Sequence, residues 1–354
     1  MEKQTVPDPQ VPTGAGGPTG DQSRGRNLFL FLANVRETSI FVFIILLVIL
    51  VSLRSPYFLN VDNFRDIFLD IAILSMIAIG QMMVVITRGI DLSVGSGLGL
   101  SAMAIGMFVS AHWGMPPWAA VLMGIGLGIL LGGFNGFVVT VGRVPPIIAT
   151  LGTLSIYRGL VYVVSQGAWV DAHELPPDFK AFTLRPILGI PALVVYAVIV
   201  AVIFYYFLNH TRTGRQIYAV GSNPTAAKLA GIRVNRIIFM VFVLSGALYG
   251  MGGVMWVSRY ANAANNTALG WELQSVAAVV IGGVSIFGGT GTLPGVLLGS
   301  LLLGIINNAV NLVGISPFWK QVLYGLVILA AVVADSFISR RLQRTLTLRT
   351  RRAL

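Results

Sequence analysis

Residues 210–236 read HTRTGRQIYAVGSNPTAAKLAGIRVNR and form the long polar segment between two strongly apolar halves. The segment holds Arg212, Arg215, Lys228, Arg233 and Arg236 and no acid. Its middle carries the signals of one short helix. Asn223 or Ser222 supplies an N-cap and Pro224 suits the first helical position. Ala226, Ala227, Leu229 and Ala230 favour the helix, and Gly231 ends it. A capped helix with one small face in a basic loop reads as a docking element. An ordinary loop carrying a surface helix fits the same residues.

The rest of the composition sets the environment of that loop. The chain has 354 residues, 55% hydrophobic and 10% charged, and a mean hydropathy of +0.82. Soluble domains carry about a quarter charged residues, so the expected fold class is an all-α polytopic membrane protein. About ten spans are expected, near 38–53, 66–87, 96–111, 117–141, 146–165, 191–208, 236–256, 271–287, 291–312 and 318–338, since a crossing helix needs about 20 apolar residues. The third and eighth are short and glycine-rich, and one of them is a candidate for a broken helix. Residues 1–36 are polar and rich in Pro and Gly and read as a disordered cytoplasmic tail. The membrane domain covers 37–338 with the loop at 209–236, and 339–354 is a basic cytoplasmic tail.

Ten spans put both termini on one side. The tails, the 210–236 loop, Arg88 and Arg143 then place 17 basic residues on that side against 7 on the other. The richer side is cytoplasmic by the positive-inside rule. The net charge of +11 follows from this distribution and needs no nucleic-acid partner. On the opposite side the longest connection, 166–190, either caps the outer mouth of a pathway, receives an external partner or is a spacer.

Two stretches suggest an inverted repeat of two halves. LGGFNGFVVTVGRVPP (131–146) aligns with LLGIINNAVNLVGISPF (302–318), matching Gly132 to Gly304, Asn135 to Asn307, Gly142 to Gly314 and Pro145 to Pro317. Inverted repeats place substrate pathways at their interface. Asn135, Asn307 and Asn308 lie inside apolar spans, where amides either line a pathway or clamp neighbouring helices. The polar turn Thr87-Arg88-Gly89-Ile90-Asp91-Leu92-Ser93 offers Asp91 and Ser93 as gate or pathway candidates. The simpler reading is a connector in which Arg88 neutralises Asp91. Glycines at GxxxG spacing, such as Gly128/Gly132, Gly132/Gly136 and Gly295/Gly299, mean close helix packing.

Enzymatic chemistry finds no support. Cysteine is absent, and His112, His173 and His210 have no ligand spacing. No G-x-x-x-x-G-K-[ST] occurs, so a P-loop nucleotide site is excluded, and Leu244-Ser245-Gly246-Ala247-Leu248 only echoes an ATPase signature from within a span. No cofactor or metal is expected.

VVITRGIDLSVGS (84–96), NGFVVTVGRVPPIIATLGT (135–153), TRTGRQIYAVGSNPTAAKLAGI (211–232) and GGVSIFGGTGTLPGVLLGS (282–300) together resemble the permease subunits of bacterial sugar-type ABC importers. These are the permeases of the ribose, xylose, arabinose, galactose, rhamnose and autoinducer-2 systems. The resemblance spans roughly 38–338. It implies a permease of the bacterial inner membrane that pairs with a second permease chain, like or unlike itself. It implies two cytoplasmic ABC ATPase domains and a periplasmic or lipoprotein sugar-binding protein as partners. ATP hydrolysis then belongs to the ATPase chains, and solute enters by alternating access. The helix from Ser222 and Asn223 through Pro224, Ala226, Ala227, Lys228, Ala230 and Gly231 corresponds to the family's coupling helix. The alternative is an ATP-independent secondary transporter, for which Asp91 and Glu272 are the only obvious ion-coupling acids.

Overall fold

A bilayer offers no water to backbone N–H and C=O groups, so long apolar stretches satisfy them by becoming helices. The structure, a computed structural model, describes residues 38, 40–314, 316, 318–326, 328, 329 and 333. In chain order the elements are α1 (Ile40–Arg54), a 3-10 turn (Pro56–Leu59), α2 (Val61–Ile86), α3 (Val94–Ala111), α4 (Pro117–Thr140), α5 (Pro146–Ser165) and α6 (Pro177–Leu184). A small antiparallel hairpin, β1 (Pro186–Ile187) and β2 (Ile190–Pro191), follows. Then come α7 (Ala192–His210), α8 (Arg212–Ser222), α9 (Pro224–Leu229), α10 (Val234–Tyr260), α11 (Trp271–Ile281) and α12 (Leu293–Leu312). A further helical segment at 319–326 begins the tenth expected span. The two expected tails lie outside the described residues.

Among the described residues seven helices are long and apolar enough to cross a membrane: α2, α3, α4, α5, α7, α10 and α12. The shortfall from ten has a local cause at α11. Its 11 residues span about 16 Å at ~1.5 Å per residue, about half of a ~30 Å hydrocarbon core. Beyond Ile281 the sequence GGVSIFGGTGT favours turns over helix, and four of its glycines (Gly283, Gly288, Gly289, Gly291) have positive φ. The eighth expected span is therefore a half-helix continued by an irregular glycine segment.

The core is built around α2. Its best apolar window is 94% buried, against 28% for α4 and α5. A helix that is apolar all round belongs inside a bundle, and α10, α12, α7 and α11 pack against it. The outer helices keep large apolar side chains exposed, among them Leu130 and Phe134 on α4, Ile148 and Leu151 on α5, and Val198 and Val202 on α7. Water would make that surface costly, whereas lipid tails accept it.

The tightest helix pair is α4 with α10. Gly124, Gly128 and Gly132 of α4 face Gly246 and Gly250 of α10, and a Cβ on any of them would collide with the facing backbone. The GxxxG spacing thus packs helices within this chain, driven by close van der Waals contact. Gly128→Val should force the pair apart and cost about 1–3 kcal/mol. Gly126→Ala, whose methyl meets nothing within 4 Å, should leave the chain as stable or raise its stability by up to about 1 kcal/mol. Thermal melting of both variants in detergent checks the contrast.

Candidate functional site

The polar loop folds as two capped helices. The Thr211 side chain accepts from Gly214 N at 3.0 Å to start α8. The Asn223 side chain accepts from Ala226 N at 3.0 Å to start α9, with Pro224 in the first turn. At the far end Gly231 takes φ +81, a conformation open to glycine at little cost. Ile232 N then donates to Ala227 O at 3.0 Å. The sequence reading found α9 and missed α8. Its signals were the Thr211 cap and the inward stripe Gly214, Ile217, Gly221, which repeats at helical spacing.

Only Ala227 of α9 is buried; Ala226, Lys228 and Ala230 are exposed, and Leu229 is 86% exposed. Ala227 packs into the chain's own core. The exposed residues of this stretch include Ser222, Asn223, Ala226, Lys228, Leu229, Ala230 and Gly231, with Ala227 packed behind them.

The loop is locked to the spanning helices at one junction. Arg88, in the turn after α2, donates from Nε to Gly221 O and from Nη2 to Ser222 O, both at 2.6 Å. These are the last residues of α8, directly before α9, so a cation satisfies carbonyls at a helix C-terminus. Gly289 N donates to Ile86 O at 2.9 Å, and Tyr218 OH donates to Gly291 O at 3.0 Å. A Cβ on Gly221 would collide with Ile86 O, and one on Gly288 would strike Arg88. Three segments distant in sequence thus touch backbone to backbone.

This arrangement corrects one expectation. Arg88 does not neutralise Asp91, because its guanidinium is turned to the α8 carbonyls. Asp91 is fully buried in the connector between α2 and α3 and accepts instead from Ser93 N (2.9 Å) and Ser93 Oγ (2.6 Å). Asn135 Nδ2 donates to Ser93 Oγ at 2.8 Å, and Tyr157 OH donates to Leu131 O at 2.7 Å and to Asn135 Oδ1 at 3.5 Å. The Gln81 amide pairs with Asp91 N and O at 3.2 and 3.1 Å. Asp91, Ser93 and Asn135 therefore meet in a buried polar clamp joining α2, α3, α4 and α5, in which Asp91 Oδ2 has no partner among the described residues.

Asn307 and Asn308 lie elsewhere. Tyr324 OH donates to Asn307 Oδ1, and Asn308 Nδ2 donates to Asn63 Oδ1 at 2.7 Å. Both line a cavity of about 200 Å³ with Asp70, Trp256, Tyr260 and Trp271. Asp70 precedes Ile86 by 16 residues on α2, about 24 Å along a helix axis, so the cavity sits at the end opposite the loop junction. The 166–190 connection is sewn to that same end: Val170 pairs with Ala263, and Ser258 Oγ donates to Phe179 O at 2.6 Å.

The family described as branched-chain amino acid transport system / permease component matches residues 63–332. The chain belongs to that family. Curated relatives of this permease include the ribose import permease protein of Bacillus subtilis, 40% identical over 83% of this chain and 91% of that one. The ribose import permease protein of Haemophilus influenzae is 37% identical over 86% and 94%. The autoinducer 2 import system permease protein of Salmonella typhi is 34% identical over 89% and 90%. No solved structure gives a significant match.

Two predictions follow from the junction and the clamp of this permease. Arg88→Ala should release Gly221 O and Ser222 O and weaken the seat of α9 by about 1.5–3 kcal/mol, the range for hydrogen bonds to a charged group. Hydrogen–deuterium exchange should then rise across 218–231 while α2 stays protected. Burial, partly offset by the Ser93 bonds, pushes the Asp91 carboxyl from 3.8 up to about 6. The folded chain therefore holds this proton to higher pH than the unfolded chain, and stability falls as pH rises from 3.8 to about 6. Asp91→Asn should remove about 3 kcal/mol of that fall, read from denaturation in detergent across this pH window.

Proposed function

We propose that this permease is the membrane subunit of an ATP-driven importer that carries a monosaccharide or a sugar-like solute into the cytoplasm. Its relatives are named for ribose and autoinducer-2 import. The observation that carries the reading is α9: a capped helix with an exposed outer face, fixed through Arg88 to the most buried spanning helix. Such a helix transmits a push from a cytoplasmic partner to the core without dissipating it in a slack loop. The partners are two ATPase domains on the loop side, a second permease chain, and a periplasmic or lipoprotein sugar-binding protein on the other side. ATP binding and hydrolysis shift the balance between inward-open and outward-open arrangements. The basic loop, turns and tails support a cytoplasmic α9 and cytoplasmic termini through the positive-inside rule.

The ten-span topology belongs to this proposal. Adding α1, the half-helix α11 and the segment at 319–326 to the seven long helices brings the number to ten. One structural parallel supports the inverted repeat: Asn135 and Asn307, its aligned amides, each receive a tyrosine hydroxyl from the following helix, Tyr157 and Tyr324. Asp91 and Ser93, held with Asn135, keep the connector beside the cytoplasmic gate in one shape. The ion-coupled alternative would rest on Asp91, whose Oδ1 is held by Ser93 in its own turn.

The docking face is tested on its exposed tip. Leu229→Asp should weaken co-purification with the ATPase about thirtyfold, the effect of a 2 kcal/mol hot spot, and abolish ATP-dependent uptake. Unchanged ATPase binding would sink the docking role of α9. Uptake driven by an ion gradient without any ATPase would sink the importer reading.

A further inference from the structure

Two buried polar atoms beside the outer cavity have no partner among the described residues: Nε1 of Trp256 and Oδ1 of Asn308. An indole N–H is a donor only and an amide oxygen an acceptor only, and leaving either buried and unpaired costs about 1–3 kcal/mol. Both belong to residues that line the cavity of about 200 Å³. The same wall carries an aromatic cluster. Trp256 and Trp271 meet edge-to-face with centroids 4.9 Å apart, and Trp256 and Tyr260 lie 4.5 Å apart. A second cavity of about 260 Å³ continues past Trp256 and Trp271 under the 262–269 turn. Beside the rings stands Asp70, held by Arg259 at 3.0 Å and by Tyr260 OH at 2.8 Å, yet with its side chain 49% exposed.

We infer that this cavity is a monosaccharide-binding station within the permease, with Trp256 and Trp271 as apolar platforms and Asp70, Asn308 and the Trp256 N–H reading hydroxyls. The inference rests on the importer reading and names the site through which that solute passes. Its chemistry excludes the neighbouring solute classes. A sugar ring presents C–H faces that lie on aromatic rings and hydroxyls that both donate and accept. Asp70 takes donors, the Trp256 N–H gives to acceptors, and Asn308 Oδ1 takes a second donor. A purely apolar solute would leave the orphaned atoms unpaired, and the charges at the cavity, Asp70 with Lys320 beside it and Arg259 paired to it, balance toward a neutral polar solute. The size agrees, because about 200 Å³ corresponds to roughly six or seven water volumes of ~30 Å³, the scale of one sugar ring. The position agrees as well: the cavity lies at the end of α2 away from α9, where a binding protein would deliver its load.

The test is direct binding to the full-length permease in nanodiscs, by saturation-transfer NMR with D-ribose, D-xylose, L-arabinose, D-galactose and L-rhamnose as probes. At least one should show saturation transfer that Trp271→Ala reduces at least tenfold. Trp256→Phe keeps a ring and removes only the N–H, and should weaken binding severalfold at unchanged melting temperature. Absence of signal from every probe, or equal signals in wild type and both folded variants, overturns the inference. ATP-dependent uptake by the complex is measured in parallel to separate the two readings. Uptake without permease binding leaves the importer standing and removes the station. Binding lost in the variants, with no ATP-dependent uptake by wild type, leaves the station standing and removes the importer.

Discussion

The junction of Arg88 with the end of α8 governs how the two parts of this permease act on each other. Two charge-assisted hydrogen bonds fasten the loop to α2 at Gly221 and Ser222. Glycine at 221, 288 and 289 lets three backbones come closer than any side chain would permit. Without that contact α9 would be a surface helix on a tether. With it, displacement of α9 reaches the turn that ends α2, and α2 is packed on every side by other spanning helices. Neighbouring to this contact, the Asp91–Ser93–Asn135–Tyr157 clamp keeps the connector between α2 and α3 in register with α4 and α5. The loop is therefore anchored on a stiff assembly.

Much of this was legible in the sequence for physical reasons. Apolar runs long enough to span a bilayer have one regular solution, so the helices lie near their expected positions. Asn223, Pro224 and Gly231 are each demanded by a specific backbone geometry, so α9 was readable to within a residue. The GxxxG glycines announced close packing, although spacing alone does not say which helix is the neighbour. α10 became that neighbour because Gly246 and Gly250 present a matching flat surface.

What escaped the sequence depended on long-range direction. Arg88 and Asp91 stand three residues apart, and proximity suggested a pair. The left-handed φ of +67 at Arg88 turns its guanidinium the other way, to carbonyls more than a hundred residues distant. Helix propensity at Ala227 said nothing about which face it would occupy, and it lies inward. The cavity residues Asp70, Trp256, Tyr260 and Trp271 sit on three helices and gave no local pattern. Only packing brings them to one wall, so no motif search would have grouped them with Asn308.

The burial of α2 has a consequence for biosynthesis. α2 is among the most hydrophobic helices of the chain, so it partitions readily into lipid when it leaves the ribosome. In the finished protein almost none of it meets lipid. Its partners α10, α11 and α12 are made long afterwards, so α2 must wait in the bilayer with its whole circumference bare and then trade lipid for protein. That exchange gains no hydrophobic energy, since tails and side chains are equally apolar. Assembly of the bundle then rests on close fit alone, and a nascent chain stalled before α10 would leave an inserted helix for quality control to clear.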